Sequence, residues 1–203
     1  QEGQHAHQHD RHVDMLVEQG YPGIAKRNEL VPKMTNVSIK HAPKLSIGAT
    51  AALEQLTVLF ARRLLSEPER WTGPMTPQMA PLWLWHALEE AEHKAVAFDV
   101  MKQVAPSHGL RVWSQITNTV GLFADAMDRT IYMLWKDGLL FRRKTWSQGF
   151  RFLFGRKGLL RGLGRDYLAW YRRDFHPNQQ DDTELIERWQ AFFADAKTSA
   201  QPH

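Results

Sequence analysis

The sequence predicts an all-α protein, a helical bundle with additional C-terminal helices. Three observations lead there: apolar residues recur at three- and four-residue spacing, period-2 alternation is scarce, and no Asn-Gly or Asp-Gly pair separates β-branched runs. The 203 residues suit a single domain, 1–203, with a sizeable core. Within it, 1–105 reads as the bundle that holds a site and 106–203 as additional helices.

The first helix covers Gln1 to Gln19 and stops at Gly20 with Pro22 just beyond. Residues 21–45 carry Pro22, Pro32 and Pro43 and read as a long connection, partly helical or functional. In "SIGATAALEQLTVLFARRLL", Ser46 is a candidate N-cap and Ile47, Leu53, Leu56, Leu59, Phe60 and Leu64 form an apolar stripe that ends before Pro68. The linker "TGPMTPQMAP" leads to Pro81, placed to open a helix from Leu82 to Val104. Another long helix spans Leu110 to Lys136, followed by two or three shorter ones separated by glycines. A last helix begins near "DDTEL", where Asp181 and Glu184 have capping-box spacing.

Composition narrows the function. There is no cysteine, so neither a disulfide framework nor a thiolate metal site is available. A polar, histidine-rich start is no secretory signal, and a cytoplasmic protein is expected. No apolar run of about 18 uncharged residues is present. The best candidate, Trp113 to Trp135, is interrupted by Asp125, Asp128 and Arg129 and reads as an amphipathic or core helix. Eleven Lys and Arg between Lys136 and Arg173 face only Asp137 and Asp166, with Trp146, Phe150, Phe152, Phe154 and Trp170 among them. The default is a solvated basic face; peripheral contact of 136–173 with an anionic membrane is the alternative. No nucleic-acid-binding motif accompanies the charge, and nucleic acid is not an expected partner.

Chemistry concentrates in two Glu-x-x-His motifs, Glu2/His5 in "QEGQHAHQHDRH" and Glu90/His93 in "WLWHALEEAEHKAVAFDV". On a helix, residues three apart have Cβ atoms about 5–6 Å from each other, close enough for both side chains to bind one metal. His86, Glu90 and His93 form one stripe; Glu2, His5 and His9 form another. One such motif is weak evidence, but two on separate helices match carboxylate-bridged dimetal bundles, which also need lone glutamates on apolar faces. Glu54, among Ala51, Leu53, Val58 and Phe60, is one; an unpaired carboxylate there would be costly to bury. A second lone Glu is expected on a helix preceding Gln1. The candidate metal ligands are therefore Glu2, His5, Glu54, His86, Glu90 and His93, with His9 and Glu89 left open. The alternatives are a solvated histidine face for residues 5–12 and a core histidine for His86 between Trp83 and Trp85.

The blocks "QEGQHAHQH", "TAALEQLT", "WHALEEAEHKAVAFDV" and "DFHPNQQDD" resemble the bacterial family described as predicted metal-dependent hydrolases, from Glu2 to about Ala194. The ligand order also resembles that of di-iron arylamine N-oxygenases such as p-aminobenzoate N-oxygenase, with His86, Glu90 and His93 meeting a His-x-x-x-Glu-x-x-His signature. That resemblance implies two iron ions, with Mn or Zn as alternatives, and O₂-dependent oxidation of a small organic substrate in an aromatic, Met-lined pocket. An electron donor is then a partner, and a homodimer is expected by analogy. The alternatives are hydrolysis by metal-activated water and a non-catalytic metal-binding role. His176, in "DFHPNQQDD", is expected to make a structural hydrogen bond or a C-terminal contact.

Overall fold

The computed structural model describes residues 2–77 and 79–199, with side chains for 9–77 and 79–195. Among the described residues there is helix and no strand, as the hydrophobic spacing predicts. The helices are α1 (Glu2–Glu18), α2 (Gly23–Asn28), α3 (Leu30–His41), α4 (Pro43–Ser66), α5 (Pro68–Thr72) and α6 (Met79–His93). They continue with α7 (Val96–Val104), α8 (His108–Lys136), α9 (Arg143–Phe154), α10 (Gly164–Ala169) and α11 (Thr183–Ser199).

Gly20 ends α1 as its position suggests. Its φ of +103° lets its N–H reach the Val17 carbonyl at 3.0 Å while the Tyr21 N–H reaches Leu16 O at 3.0 Å, the paired bonds of a Schellman stop. The connection over 21–45, expected to be partly helical or functional, is almost wholly helical. Its prolines do not break helices because each sits where one begins: Pro22 caps α2, Pro32 lies in the first turn of α3, and Pro43 opens α4. The N–H a proline lacks is unsatisfied in a first turn anyway. Ser46 is accordingly not the N-cap, since α4 starts three residues earlier.

Helix α4 is the centre. Gly48, Ala51 and Ala52 keep its N-terminal half narrow, and a Cβ at Gly48 would lie 2.6 Å from Ser114 Oγ on α8. That half packs Ala51 against Phe98, Met101, Trp170 and Phe175. The C-terminal half packs Ala61 and Leu65 against Leu84, Leu88 and Trp189. At the end of α4 the Leu65 carbonyl accepts from Trp189 Nε1 and Arg188 Nη2, both at 3.0 Å. Helix ends leave carbonyls without intrahelical partners, and α11 satisfies this one.

The single helix expected from Leu82 to Val104 is two helices, broken at Lys94 and Ala95. The break lets α6 serve the C-terminal core while α7 turns Phe98 and Met101 into the other. Lys94 is drawn out of the helix line: its Nζ donates to Gln180 O at 2.6 Å and Asp182 Oδ2 at 2.9 Å. Asp182, 4% exposed, also binds Arg62 Nε at 2.6 Å, and Arg62 reaches Asp166 at 3.2 Å. Asp181 does not form the expected capping box with Glu184; its Oδ1 accepts the Thr183 N–H at 3.1 Å. His176 makes the structural bond expected of it. Its Nδ1 accepts the Asn178 N–H at 3.2 Å, so the Nε2 proton goes to Asp99 Oδ1, 2.8 Å away.

Helix α8 is capped by Ser107, whose hydroxyl accepts the Leu110 N–H at 3.2 Å. Its amphipathicity is reversed. Arg111, Ser114 and Gln115 are buried, whereas Trp113, Ile116, Val120, Met127 and Trp135 are exposed. Helix α2 docks beside its C-terminal half, where the Gly23 N–H donates to Tyr132 Oη at 2.8 Å and Arg27 grips Asp128. A Cβ at Gly23 would lie 2.6 Å from the Tyr132 ring, so only glycine permits this approach. No described helix is long and apolar enough to cross a membrane.

Asp182→Ala leaves Arg62 and Lys94 facing a partly buried void, and breaking such a pair costs about 3 kcal/mol. Urea unfolding is expected to show that loss. The carboxyls of Asp128 and Glu67 are held below the usual range by hydrogen bonds from Arg27 and Arg70. Lowered folded-state values mean that their stabilisation is present above the ordinary carboxylate range and lost as pH falls through the depressed values. The urea midpoint should therefore be lower at pH 3 than at pH 7.

Candidate metal centre

The spacing that puts His86, Glu90 and His93 on one face of α6 is realised in the first two as a facing pair. His86 Nε2 lies 3.7 Å from Glu90 Oε1, beyond hydrogen-bond reach. The other carboxylate oxygen, Glu90 Oε2, is 2.6 Å from Thr57 Oγ1 on α4. Thr57 Oγ1 is also 2.9 Å from the Glu54 carbonyl oxygen. The hydroxyl has one proton, and the charged carboxylate is the stronger acceptor. Thr57 therefore orients Glu90 and ties α6 to α4 at the site.

Glu54 lies one turn before Thr57, and His93 lies one turn beyond Glu90; both are half-buried. Helix α1 comes alongside through its histidines. The His9 ring is 5.3 Å from the His86 ring and 6.3 Å from Trp83, and His12 is 6.1 Å from Trp83. His86 thus has both the aromatic surroundings of a core histidine and a ring nitrogen turned to a carboxylate. Glu2 and His5 lie outside the residues whose side chains the structure describes. Among the described residues no three His, Asp or Glu side chains converge as a metal-binding group. Glu89, left open by the sequence, is buried at 4% exposure, while exposed Glu92 accepts from Gln190 at 2.7 Å.

The Glu90–His86 pair forms part of the wall of a cavity of about 340 Å³. Thr57 stands with it, and the other walls are apolar: Phe60, Leu64, Trp71, Met75, Trp83, Phe152 and Leu159. The lining is aromatic and includes one methionine, Met75. Thr57, Phe152 and Leu159 were not among the predicted site residues. Thr57 has a local signal, since it follows Glu54 by three residues on the same helix face. Phe152 and Leu159 have none, because they arrive through a fold-back after α9. There the Leu159 N–H bonds to Phe152 O at 2.8 Å, and a Cβ at Gly158 would lie 2.4 Å from Leu153 O. Glycine at 158 makes that return possible.

Thr57→Val keeps the shape and removes the hydroxyl, leaving one Glu90 oxygen without its α4 donor. A hydrogen bond to a charged group is worth about 2 kcal/mol. Unfolding free energy should fall by about that amount, and Thr57→Ser should restore most of it.

A family model described as "Predicted metal-dependent hydrolase" matches residues 1–181. Searches of the curated proteins and of the solved structures find no match.

Proposed function

The chain belongs to the predicted metal-dependent hydrolase family, and from that premise we propose that it hydrolyses an ester, amide or phosphoester bond at a carboxylate/imidazole metal centre. The observation that carries this reading is the Glu90–His86 pair opening on an apolar cavity. Oxygen and nitrogen donors without sulfur suit Zn, Mn or Fe. Glu54, His86, Glu90 and His93 would hold the metal, joined by Glu2 and His5 from α1. A divalent cation bound there supplies Lewis acidity, which acidifies water and polarises a carbonyl or phosphoryl oxygen.

The chain's own groups do the rest. Thr57 fixes the Glu90 carboxylate by its 2.6 Å hydrogen bond, so the carboxylate does not reorganise when charge develops beside it. Phe60, Leu64 and Trp83 bind the apolar part of the substrate and exclude bulk water. His86, whose ring lines the cavity, would place the metal at the edge of that pocket. A protein nucleophile is not needed: the sequence has no cysteine and no G-x-S-x-G turn.

A second reading, O₂-dependent oxidation at two irons in a ferritin-like bundle, draws on the paired Glu-x-x-His motifs and Glu54. It requires an electron donor, which hydrolysis does not.

Elemental analysis of protein purified without added metal or an affinity tag decides between the readings when paired with turnover. Hydrolysis predicts bound divalent metal and release of p-nitrophenol from apolar p-nitrophenyl esters, abolished by chelation. Iron with O₂ uptake and no ester cleavage would favour oxidation. His93→Ala is expected to lower metal content sharply, and unchanged content in that variant contradicts the ligand assignment.

A further inference from the structure

The apolar cavity is bordered at Trp71 and Phe152, whose rings meet edge to face at 5.8 Å. These same two residues form the wall of a second, open groove of about 710 Å³. That groove is basic. Arg70, Arg151, Arg156 and Lys157 line it, and no carboxylate does. Arg70 is partly committed, bonded to Glu67 at 2.8 Å and lying 4.6 Å over the Trp71 ring. Arg151, Arg156 and Lys157 are exposed and form no ion pair among the described residues. Glu67, the carboxylate nearby, is already held by Arg63 and Arg70.

We infer that the site takes an anionic amphiphile, its phosphate or carboxylate in the basic groove and its apolar portion inside the cavity between Trp71 and Phe152. This deepens the hydrolase reading and rests on it for the chemistry. Away from the proposed metal centre the walls at Phe60, Leu64, Trp83 and Leu159 offer an anion no partner, so desolvation disfavours one there. Outside, three unpaired cations attract one. The cavity has room for about ten non-hydrogen atoms, taking ~30 Å³ for a water-sized group. The reactive bond of such a ligand is therefore remote from its anionic group and lies by Glu90 and His86.

Calorimetric titration with decyl phosphate, decyltrimethylammonium and decyl maltoside, each below its micellar concentration, tests this. Decyl phosphate should bind about tenfold more tightly than the other two, and added salt should erode the difference. Arg151→Glu combined with Lys157→Glu should abolish the preference. Leu159→Trp and Met75→Trp, which fill the cavity from different segments, should each weaken all three ligands. Equal affinity for the three amphiphiles, a preference that survives charge reversal, or binding indifferent to both cavity-filling variants would overturn the proposal. Extraction of fluorescent phosphatidylglycerol from vesicles would support it with a bilayer as the source, and decyl phosphate binding without extraction would support it with a dissolved one. Metal content measured on the same samples separates the two ideas. Metal retained without amphiphile preference sinks this inference alone, whereas amphiphile binding by a protein that takes up no metal supports it and sinks the hydrolase reading.

Discussion

The structure depends on one buried helix. Helix α4 is packed by α6, α7, α8 and α11, so little of its circumference meets water. A helix so enclosed must be narrow where neighbours come close, and burial favours a partner for its polar groups, although Gln55 Nε2 has none among the described residues. Gly48, Ala51 and Ala52 meet the first requirement. The second explains why Trp189 and Arg188 converge on the Leu65 carbonyl, and why the Thr57 hydroxyl is bonded across to α6.

The α4–α6 pair is fastened at two points about one turn apart, toward the C-terminal end of α6. Near the site the fastening is Thr57 to Glu90; near the C-terminal segment it is Asp182, bound to Arg62 of α4 and to Lys94 just past α6. Two fixed points set the rotation of α6 about its own axis, and that rotation aims His86 and Glu90 into the cavity. The segment from Phe175 to Asp182 supplies one of these points while contributing nothing to the cavity wall. Its Phe175 fills the N-terminal core, His176 holds Asp99, and Asp182 closes the ion-pair network. A motif that travels with a metal-binding sequence is here a fastener.

The C-terminal helices have two unlike roles. Helix α8 turns a polar side to the bundle and an apolar side outward, while α9 brings Phe152 over the cavity and a cluster of cations beside it. On the polar side of α8, Arg111 reaches the Arg172 carbonyl and lies 5.8 Å over the Trp170 ring. Burial pushes its guanidinium pKa down, against the usual preference of arginine for water.

What the sequence alone determined is what local geometry encodes. Helix content, the stop at Gly20, and the shared face of His86, Glu90 and His93 follow from 3.6 residues per turn and from glycine's backbone freedom. The family follows from the same short blocks. Local rules failed where two local signals competed. The proline-bearing stretch 21–45 read as a connection only partly helical, yet its prolines stand at helix starts, and continuous apolar spacing from 82 to 104 hid the turn at Lys94. Only the tertiary structure reveals that turn, where Lys94 pairs with a carboxylate 88 residues away. It alone brought Thr57 to Glu90, Phe152 to Trp71, and a basic groove to the border of an apolar cavity. Contacts of that kind are set by how helices pack against α4, and packing leaves no periodic trace in the chain.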